Sequence, residues 1–297
     1  HDDIAWIASH CPKERQTLLF SATFPNGIAS LAQRFLRAPK EVKLAEQHAP
    51  DKIRQRFFEI DHPARLQAVA TLLRHFRPTS TLAFCNTRQQ CRALVELLCA
   101  EGFHALALHG ELDQRERDQV LVQFANRSCS VLVATDVAAR GLDIAQLEAV
   151  INVDVTPDPE VHVHRIGRTG RGDAEGLALS LCSSADRRRV ATIAQAMGFE
   201  PEWQDIAALP IDDAAPLQPP MTTLLILGGR KDKIRPGDVL GALTGEAGFT
   251  REQVGKITVT DQNTYVAVVR DIARDAVRRL AAGKLKGRPV KVRALER

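Results

Sequence analysis

Four absences bound what this chain can be. No G-x-x-x-x-G-K-[ST] loop occurs anywhere in its 297 residues, so it holds no P-loop cradle for nucleotide phosphates. Its six cysteines (Cys11, Cys85, Cys91, Cys99, Cys129 and Cys182) include no C-x-x-C pair. That argues against a zinc ribbon or a disulfide framework and makes reduced thiols the expectation. No apolar run reaches the roughly 18 residues that a membrane-crossing helix needs. Aromatic residues are scarce, at 5% with a single tyrosine, which leaves little material for a base-stacking platform.

What is present divides by length and charge. A chain of 297 residues with 44% hydrophobic content can form about two domains with real cores. The net charge of +4 hides an asymmetry: residues 222–297 hold 16 Lys and Arg against 8 Asp and Glu, a net of +8, and residues 1–221 a net of −4. A basic module on a mildly acidic body points to a polyanion partner. Mostly apolar runs of four or five residues recur at 81–84, 105–108, 131–134, 149–153 and 177–181, and helical stretches such as 92–100 and 114–125 separate most of them. Such runs suit strands buried on both faces of a parallel sheet, and the alternation predicts an open, doubly wound α/β domain. Asp113 and Glu116 have the spacing of a capping box for the helix beginning at 114.

Ahead of that domain, 17–20 reads as a short strand, and Ile28, Leu31, Ala32 and Phe35 recur at helical spacing. Residues 1–46 are therefore expected to be the tail of another α/β domain. Residues 209–220 hold four prolines in twelve positions, the composition of a stiff, extended linker. Beyond them the order is β-α-β-β-α-β, with strands at 222–227, 255–260, 264–269 and 289–295 and helices at 236–243 and 272–282. That is the split motif of a small α+β, RRM-like domain. The expected division is 1–46, 47–209, a linker at 210–221, and 222–297.

Several dense runs can carry chemistry. Thr135 and Asp136 close the strand at 131–134, and in open α/β sheets ligands bind beyond the carboxyl ends of strands. Gly141 lets the backbone approach a ligand closely, and Asp143 can accept hydrogen bonds from ribose hydroxyls. In the run His164-Arg165-Ile166-Gly167-Arg168-Thr169-Gly170-Arg171, Arg168 and Arg171 lie three apart, the spacing of one helix face. Guanidinium groups brought to a γ-phosphate stabilise the charge that builds during phosphoryl transfer. The run 108–117 places Gly110 just before a capped helix, whose free N–H groups suit a phosphate, with Arg117 one turn in. In the C-terminal module Arg230, Lys231, Lys233 and Arg235 cluster in the first loop. Lys284, Lys286, Arg288, Lys291 and Arg293 crowd the last strand and its approach. Cation clusters of this kind supply affinity by neutralising phosphates. Only Tyr265 stands on the third strand of the module, so its loops and basic edge, not the sheet face, are the expected RNA surface.

Taken in order, Ser21-Ala22-Thr23, the run from Ala134 to Asp143 and the run from His164 to Arg171 resemble motifs of the DEAD-box RNA helicase family, over residues 17–206. The resemblance implies a RecA-like fold for 47–209, with 1–46 the C-terminal remnant of a first RecA-like domain. It implies RNA-stimulated ATP hydrolysis with Mg²⁺. The phosphate loop, the Asp-Glu-Ala-Asp motif and the Mg²⁺ ligands would lie in a preceding part, so this chain alone is expected to bind RNA without hydrolysing ATP, and no metal ligand is assigned in it. By the same resemblance Ser21 and Thr23 couple nucleotide state to domain closure, with His164 their partner across the cleft. Asp143, beside Gly141, contacts the ribose, and Arg168 and Arg171 contact the γ-phosphate. Asn86, Thr87, Gly110, Gln114, Arg117 and Thr135 line the RNA backbone track. The stretch 228–243 and the run from Asp158 to His164 are similar to one bacterial branch of the family. That implies a structured hairpin of large-subunit ribosomal RNA as target, a pre-ribosomal particle as partner, a role in ribosome assembly and a cytoplasmic location. A rival expectation is an RNA-binding module without catalysis. DNA helicases share the motor motifs, but the C-terminal module argues for RNA.

Overall fold

Short apolar strands bury both faces only as the middle layer of a three-layer stack, and the larger part of this chain folds that way. The computed structural model describes residues 2–20, 26–42, 52–140, 144, 147–170, 175–210 and 215–295. The chain divides into two compact units, His1–Gln47 and His48–Arg297. The first holds helices α1 (Asp2–His10) and α2 (Asn26–Phe35). The helix expected around Leu31 and Phe35 forms, but the strand expected at 17–20 does not. Among the described residues of this unit there is no strand for it to pair with, and Leu18 and Phe20 stand 65% and 87% exposed. Apolar, strand-like sequence without a neighbour leaves the backbone bonded to water.

The second unit carries a seven-stranded sheet in the order β3-β4-β2-β5-β6-β1-β7. Its strands are β1 (Ile53–Glu59), β2 (Thr81–Phe84), β3 (Ala105–Leu108), β4 (Val131–Ala134), β5 (Ala149–Asn152), β6 (Gly176–Cys182) and β7 (Trp203–Gln204). Every pairing is parallel. Helices α3 (Arg65–Phe76) and α4 (Arg88–Ala100) cover one face, where Leu72, Leu94 and Leu98 pack with Phe58, Val133 and Leu179. The other face meets α5 (Gln114–Ala125), α6 (Asp136–Ala139), α7 (Pro159–Ile166) and α8 (Arg187–Met197). There Phe124 and Ala138 pack with Phe84 and Leu132, Ile166 with Ile53, and Ile193 with Phe57. This is the doubly wound sheet that the sequence pattern predicts. The capping box also forms: Asp113 Oδ1 accepts from the Glu116 N–H at 2.7 Å, and Glu116 Oε2 from the Asp113 N–H at 3.0 Å.

After the proline-rich stretch the chain builds a four-stranded antiparallel sheet in the order β11-β8-β10-β9. The strands are β8 (Met221–Leu227), β9 (Val254–Val259), β10 (Asn263–Val269) and β11 (Lys291–Ala294). Helices α9 (Pro236–Gly241) and α10 (Ala273–Ala282) cover one face and enclose a core of Leu224, Ile226, Val239, Leu243, Val266 and Leu280. The helix expected at 236–243 is α-helical only to Gly241 and continues as a π turn over Ala242–Glu246. The strand expected at 289–295 pairs over Lys291–Ala294, and the Leu295 N–H continues to the Thr223 carbonyl at 2.8 Å; its start falls short, since Pro289 has no N–H to give a ladder.

The second face of this small sheet is not open. Leu225, Tyr265 and Leu295 pack against Val122 near the end of α5, and Tyr265 is 2% exposed. Asn126 Nδ2 donates to Thr223 Oγ1 at 3.1 Å, and Arg115 Nη2 to Gln262 Oε1 at 3.0 Å. The connecting stretch follows the α/β body, with Gln218 Oε1 2.7 Å from His104 Nε2 and the Ala215 carbonyl accepting from Arg77 at 3.3 Å.

Candidate nucleic-acid and nucleotide site

All strands of a parallel sheet end at one edge, so the loops that follow them converge. The carboxyl edge gathers Asn86 and Thr87 after β2, Gly110 with the first turn of α5 after β3, Thr135 and Asp136 after β4, and Asp154 after β5. Asn86 and Thr87 are exposed. Thr87 Oγ1 accepts the Gln90 N–H at 3.2 Å and so caps α4, while its own proton stays available to donate. A Cβ added at Gly110 would meet nothing within 4 Å, and its backbone is not left-handed. Neither packing nor conformation demands glycine there; what glycine gives is a bare backbone that a ligand can approach closely. Gln114 is exposed and donates to Asp118 at 2.7 Å, whereas Arg117 is half-buried and donates to the Ala138 carbonyl at 2.7 Å, tying α5 to α6. His109 lies buried beside them, its pKa lowered by burial first and by Arg92 second.

Beneath this edge runs a network of buried charge. Arg165 donates from Nε and Nη2 to the two oxygens of Asp136, each at 2.7 Å, and from Nη1 to the Asp154 carbonyl at 2.6 Å. Its guanidinium stands 5.0 Å from the Phe84 ring centre. Arg65 donates to Asp154 Oδ1 and Asp186 Oδ2, both at 2.6 Å. Asp154 Oδ2 in turn accepts the backbone N–H of Asn86 at 3.0 Å. Burial works against ionised Asp186, but the Ser183 N–H and hydroxyl, together with Arg65, outweigh it and hold its carboxyl below the ordinary value. The network thus fixes the backbone on both sides of the strand ends that carry Asn86 and Asp136. Sequence reasoning missed Arg65, Asp154 and Asp186, which no local spacing marks. Arg165 stood inside a conspicuous run, yet only its neighbours were singled out.

The arginine run lies elsewhere. Helix α7 ends at Ile166 with Gly167 as its cap, and Thr169 forms a bridge with Leu147. Arg168 therefore sits in a turn beyond the helix end, and Arg171, with which it was expected to share a helix face, lies outside the described residues. Gly170, at φ +66, marks the reason: an added Cβ there would stand 2.5 Å from Ile53 Cγ1, so the chain is turned tightly against β1. This places Arg168 at the amino edge of β1, β5 and β6, opposite the edge that carries Asn86 and Thr135. His164 is exposed in the last turn of α7, and Arg168 is half-buried. Ser21, Thr23, Gly141, Asp143 and Arg171 lie outside the described residues. Among the described residues no group of three or more His, Cys, Asp or Glu is placed to hold a metal ion.

In the small domain a cleft of about 590 Å³ is lined by Arg230, Lys233, Arg235 and Lys286, with Ile234 and Pro236. Lys231, Lys284 and Arg288 are also exposed. Arg230 pairs with Asp261 at 2.7 Å and Lys286 with Asp238 at 3.3 Å. Among the described residues Lys231, Lys233, Arg235, Lys284 and Arg288 make no ion pair, and their charges are uncommitted.

Residues 64–173 match the family described as helicase conserved C-terminal domain, and residues 223–294 match the DbpA RNA binding domain. The chain is 45% identical over 295 residues to the ATP-dependent RNA helicase DbpA of Escherichia coli (strain K12), a match covering 99% of this chain and 64% of that protein. It is 29% identical to the DbpA of Bacillus subtilis (strain 168), covering 98% of this chain and 65% of that one. The chain thus spans somewhat less than two thirds of the length of these relatives. Among solved structures, S. cerevisiae Dbp5 bound to RNA and ADP BeF3 aligns with a TM-score of 0.62 at 28% identity, over 69% of this chain and 55% of that one. A DEAD box protein from the hyperthermophile Methanococcus jannaschii aligns at 0.50 with 33% identity, over 68% and 55%. A helicase C-terminal domain followed by a DbpA RNA-binding domain, with identity sustained through both, makes this chain a member of the DEAD-box RNA helicase family.

Proposed function

We propose that this chain is the second motor domain and RNA-targeting module of an ATP-dependent RNA helicase of the DbpA type. Its target in this reading is a structured hairpin of large-subunit ribosomal RNA within a pre-ribosomal particle, during ribosome assembly in the cytoplasm. One observation carries the reading. A row of exposed loops lies at the carboxyl edge of the sheet, and Arg165, on the helix that leads to Arg168 at the amino edge, grips Asp136 at the loop edge. A shift at one edge is felt at the other through a single rigid, bidentate side chain.

In this proposal an RNA strand runs over Asn86, Thr87, Gly110, Gln114 and Thr135, with Arg117 bracing α6 beneath it. Gly141 and Asp143 receive the ribose of ATP, and Arg168 and Arg171 reach its γ-phosphate. ATP supplies phosphoryl-transfer chemistry there, and arginines so placed are worth roughly three to five orders of magnitude in rate. Ser21 and Thr23 meet His164 when the two RecA-like domains close on the strand, and closure releases the strand's partner. The Mg²⁺ that would accompany ATP is assigned, in this proposal, ligands in a preceding part of the protein. Arg230, Lys231, Lys233, Arg235, Lys284 and Arg288 of the RRM-like module supply phosphate contacts to the hairpin.

The test compares this chain with the protein completed by its N-terminal half. This chain should bind RNA and show no RNA-stimulated ATP turnover; the completed protein should show both. In the completed protein Arg168→Ala or Arg171→Ala should abolish most turnover while leaving hairpin affinity nearly unchanged. RNA binding without turnover in the completed protein would favour a non-catalytic RNA-binding module instead.

A further inference from the structure

Two lysines of the small domain, Lys233 at φ 62 and Lys286 at φ 53, hold the left-handed backbone conformation that side chains other than Asn and Asp seldom adopt. Both line the basic cleft. Lys286 and Gly287, the latter at φ 76, form the two-residue tip between the bridged Leu285 and Arg288. Positive φ at both tip positions is the signature of a type I′ turn, whose favoured first residue is Asn, Asp or Gly. Local backbone preference therefore does not account for a lysine at 286; the contacts of its side chain do. Lys286 Nζ donates to the Lys233 carbonyl at 2.7 Å and stands 3.3 Å from Asp238 Oδ2. The same Asp238 oxygen accepts the Arg235 backbone N–H at 2.8 Å. One ammonium, with three donors and no acceptor, thus ties the 285–288 turn to both ends of the 233–235 segment. Around it Lys231, Lys233 and Arg235 are exposed and free of ion pairs among the described residues.

We propose that Lys286 is a positioning residue of the polyanion cleft. It clamps the 230–235 loop to the 285–288 turn, so that Lys231, Lys233 and Arg235 are presented to phosphates, and it does not itself neutralise one. This rests on the RNA-binding reading above.

Counterion release separates the two roles, because each neutralised phosphate adds roughly 0.7 to 0.9 to the slope of log affinity against log salt. The experiment titrates a fluorescein-labelled stem–loop RNA with the whole chain at several salt concentrations. Lys286→Asn removes the ammonium but supplies a residue that favours the turn, so the fold is kept. Its affinity at fixed salt should fall about tenfold, with the salt slope of the parent chain. Lys231→Met should lower the slope by roughly 0.7 to 0.9. Asp238→Asn should also weaken binding, and the double variant with Lys286→Asn should be no weaker than the worse single variant, because both changes open one clamp. A Lys286→Asn slope reduced by a full contact, an unchanged affinity, or a gain in affinity for Asp238→Asn would overturn the proposal. Failure of the parent chain to bind the stem–loop would overturn the RNA reading itself, and the clamp with it.

Discussion

His162 shows what burial does to one side chain. It sits on α7 at 1% exposure, with Nε2 3.0 Å from Gln55 Oε1 and Nδ1 without a partner. Burial first, and the Arg165 charge second, push its pKa from 6.5 down to about 4. In the unfolded chain the imidazole titrates near 6.5. Between those values the unfolded state binds a proton that the folded state refuses, so this contribution to stability is complete above about pH 6.5 and is lost as pH falls toward 4. The group should cost the fold about 2 kcal/mol between pH 7 and pH 5. Urea denaturation at the two pH values measures it, and His162→Gln should remove most of the difference. An equal pH loss in the variant would place the titrating group elsewhere. Arg165 makes a second residue-scale case. At 2% exposure its side chain holds Asp136 and the Asp154 carbonyl. Arg165→Met strands Asp136, which is only 29% exposed, and should destabilise the fold by about 3–5 kcal/mol; a loss below 1 kcal/mol in the same assay would mean that Asp136 finds water freely.

At the scale of elements, α5 joins the two sheets: its first turn lies at the carboxyl edge of the large one and its last turn under the small one. The Asp113–Glu116 box caps its start, so Asp113→Ala should cost about 1 kcal/mol, read by thermal or urea unfolding. That box was legible in the sequence because capping is a matter of spacing within four residues. The central strands were legible for a similar reason, since burial on both faces writes itself as an unbroken apolar run. Strand β1 was not. Its Arg54, Gln55 and Arg56 interrupt the apolar signal, and they are tolerated because only the two-residue β7 lies beyond it. The reverse error came at 17–20, where the run is apolar but no strand lies beside it among the described residues. The site divides the same way. Loops after strands follow from the pattern, and so the convergence of Asn86, Gly110 and Thr135 was readable. The turn that carries Arg168 to the opposite edge depends on Gly170 meeting Ile53, a contact across more than a hundred residues. The acid partners of the cleft cations, Asp261 for Arg230 and Asp238 for Lys286, are likewise tertiary facts that no count of charges reveals.

At the scale of the whole second unit, the small sheet uses one face for its own core and the other to hold on to the α/β body. Domains that stack bases on a sheet leave that second face open and aromatic; here it is sparse in aromatics and covered. The apolar trio of Leu225, Tyr265 and Leu295 needs a lid, and Val122 supplies it. The cations are left to the loops, where Lys231, Lys233 and Arg235 face solvent. Docking and the proposed phosphate capture therefore use different surfaces and should be separable. Val122→Asp places a carboxylate against that apolar trio, where an unpaired charge is costly, and should release the small domain from α5. Tyr265 is the chain's single tyrosine, and burial raises its pKa above the ordinary value. A spectrophotometric alkaline titration of the chain thus reports on this interface alone: tyrosinate should form at higher pH in the parent than in Val122→Asp, whose midpoint should return toward about 10. Solution scattering should show a larger radius of gyration for the variant. Affinity for a stem–loop RNA should stay within about twofold of the parent, because the cleft cations belong to loops on the small domain itself. If undocking also abolished stem–loop binding, the hairpin would have to rest on the α/β body as well as on the small domain's loops, and Arg115, 3.0 Å from Gln262 at the junction, would be the first residue to change.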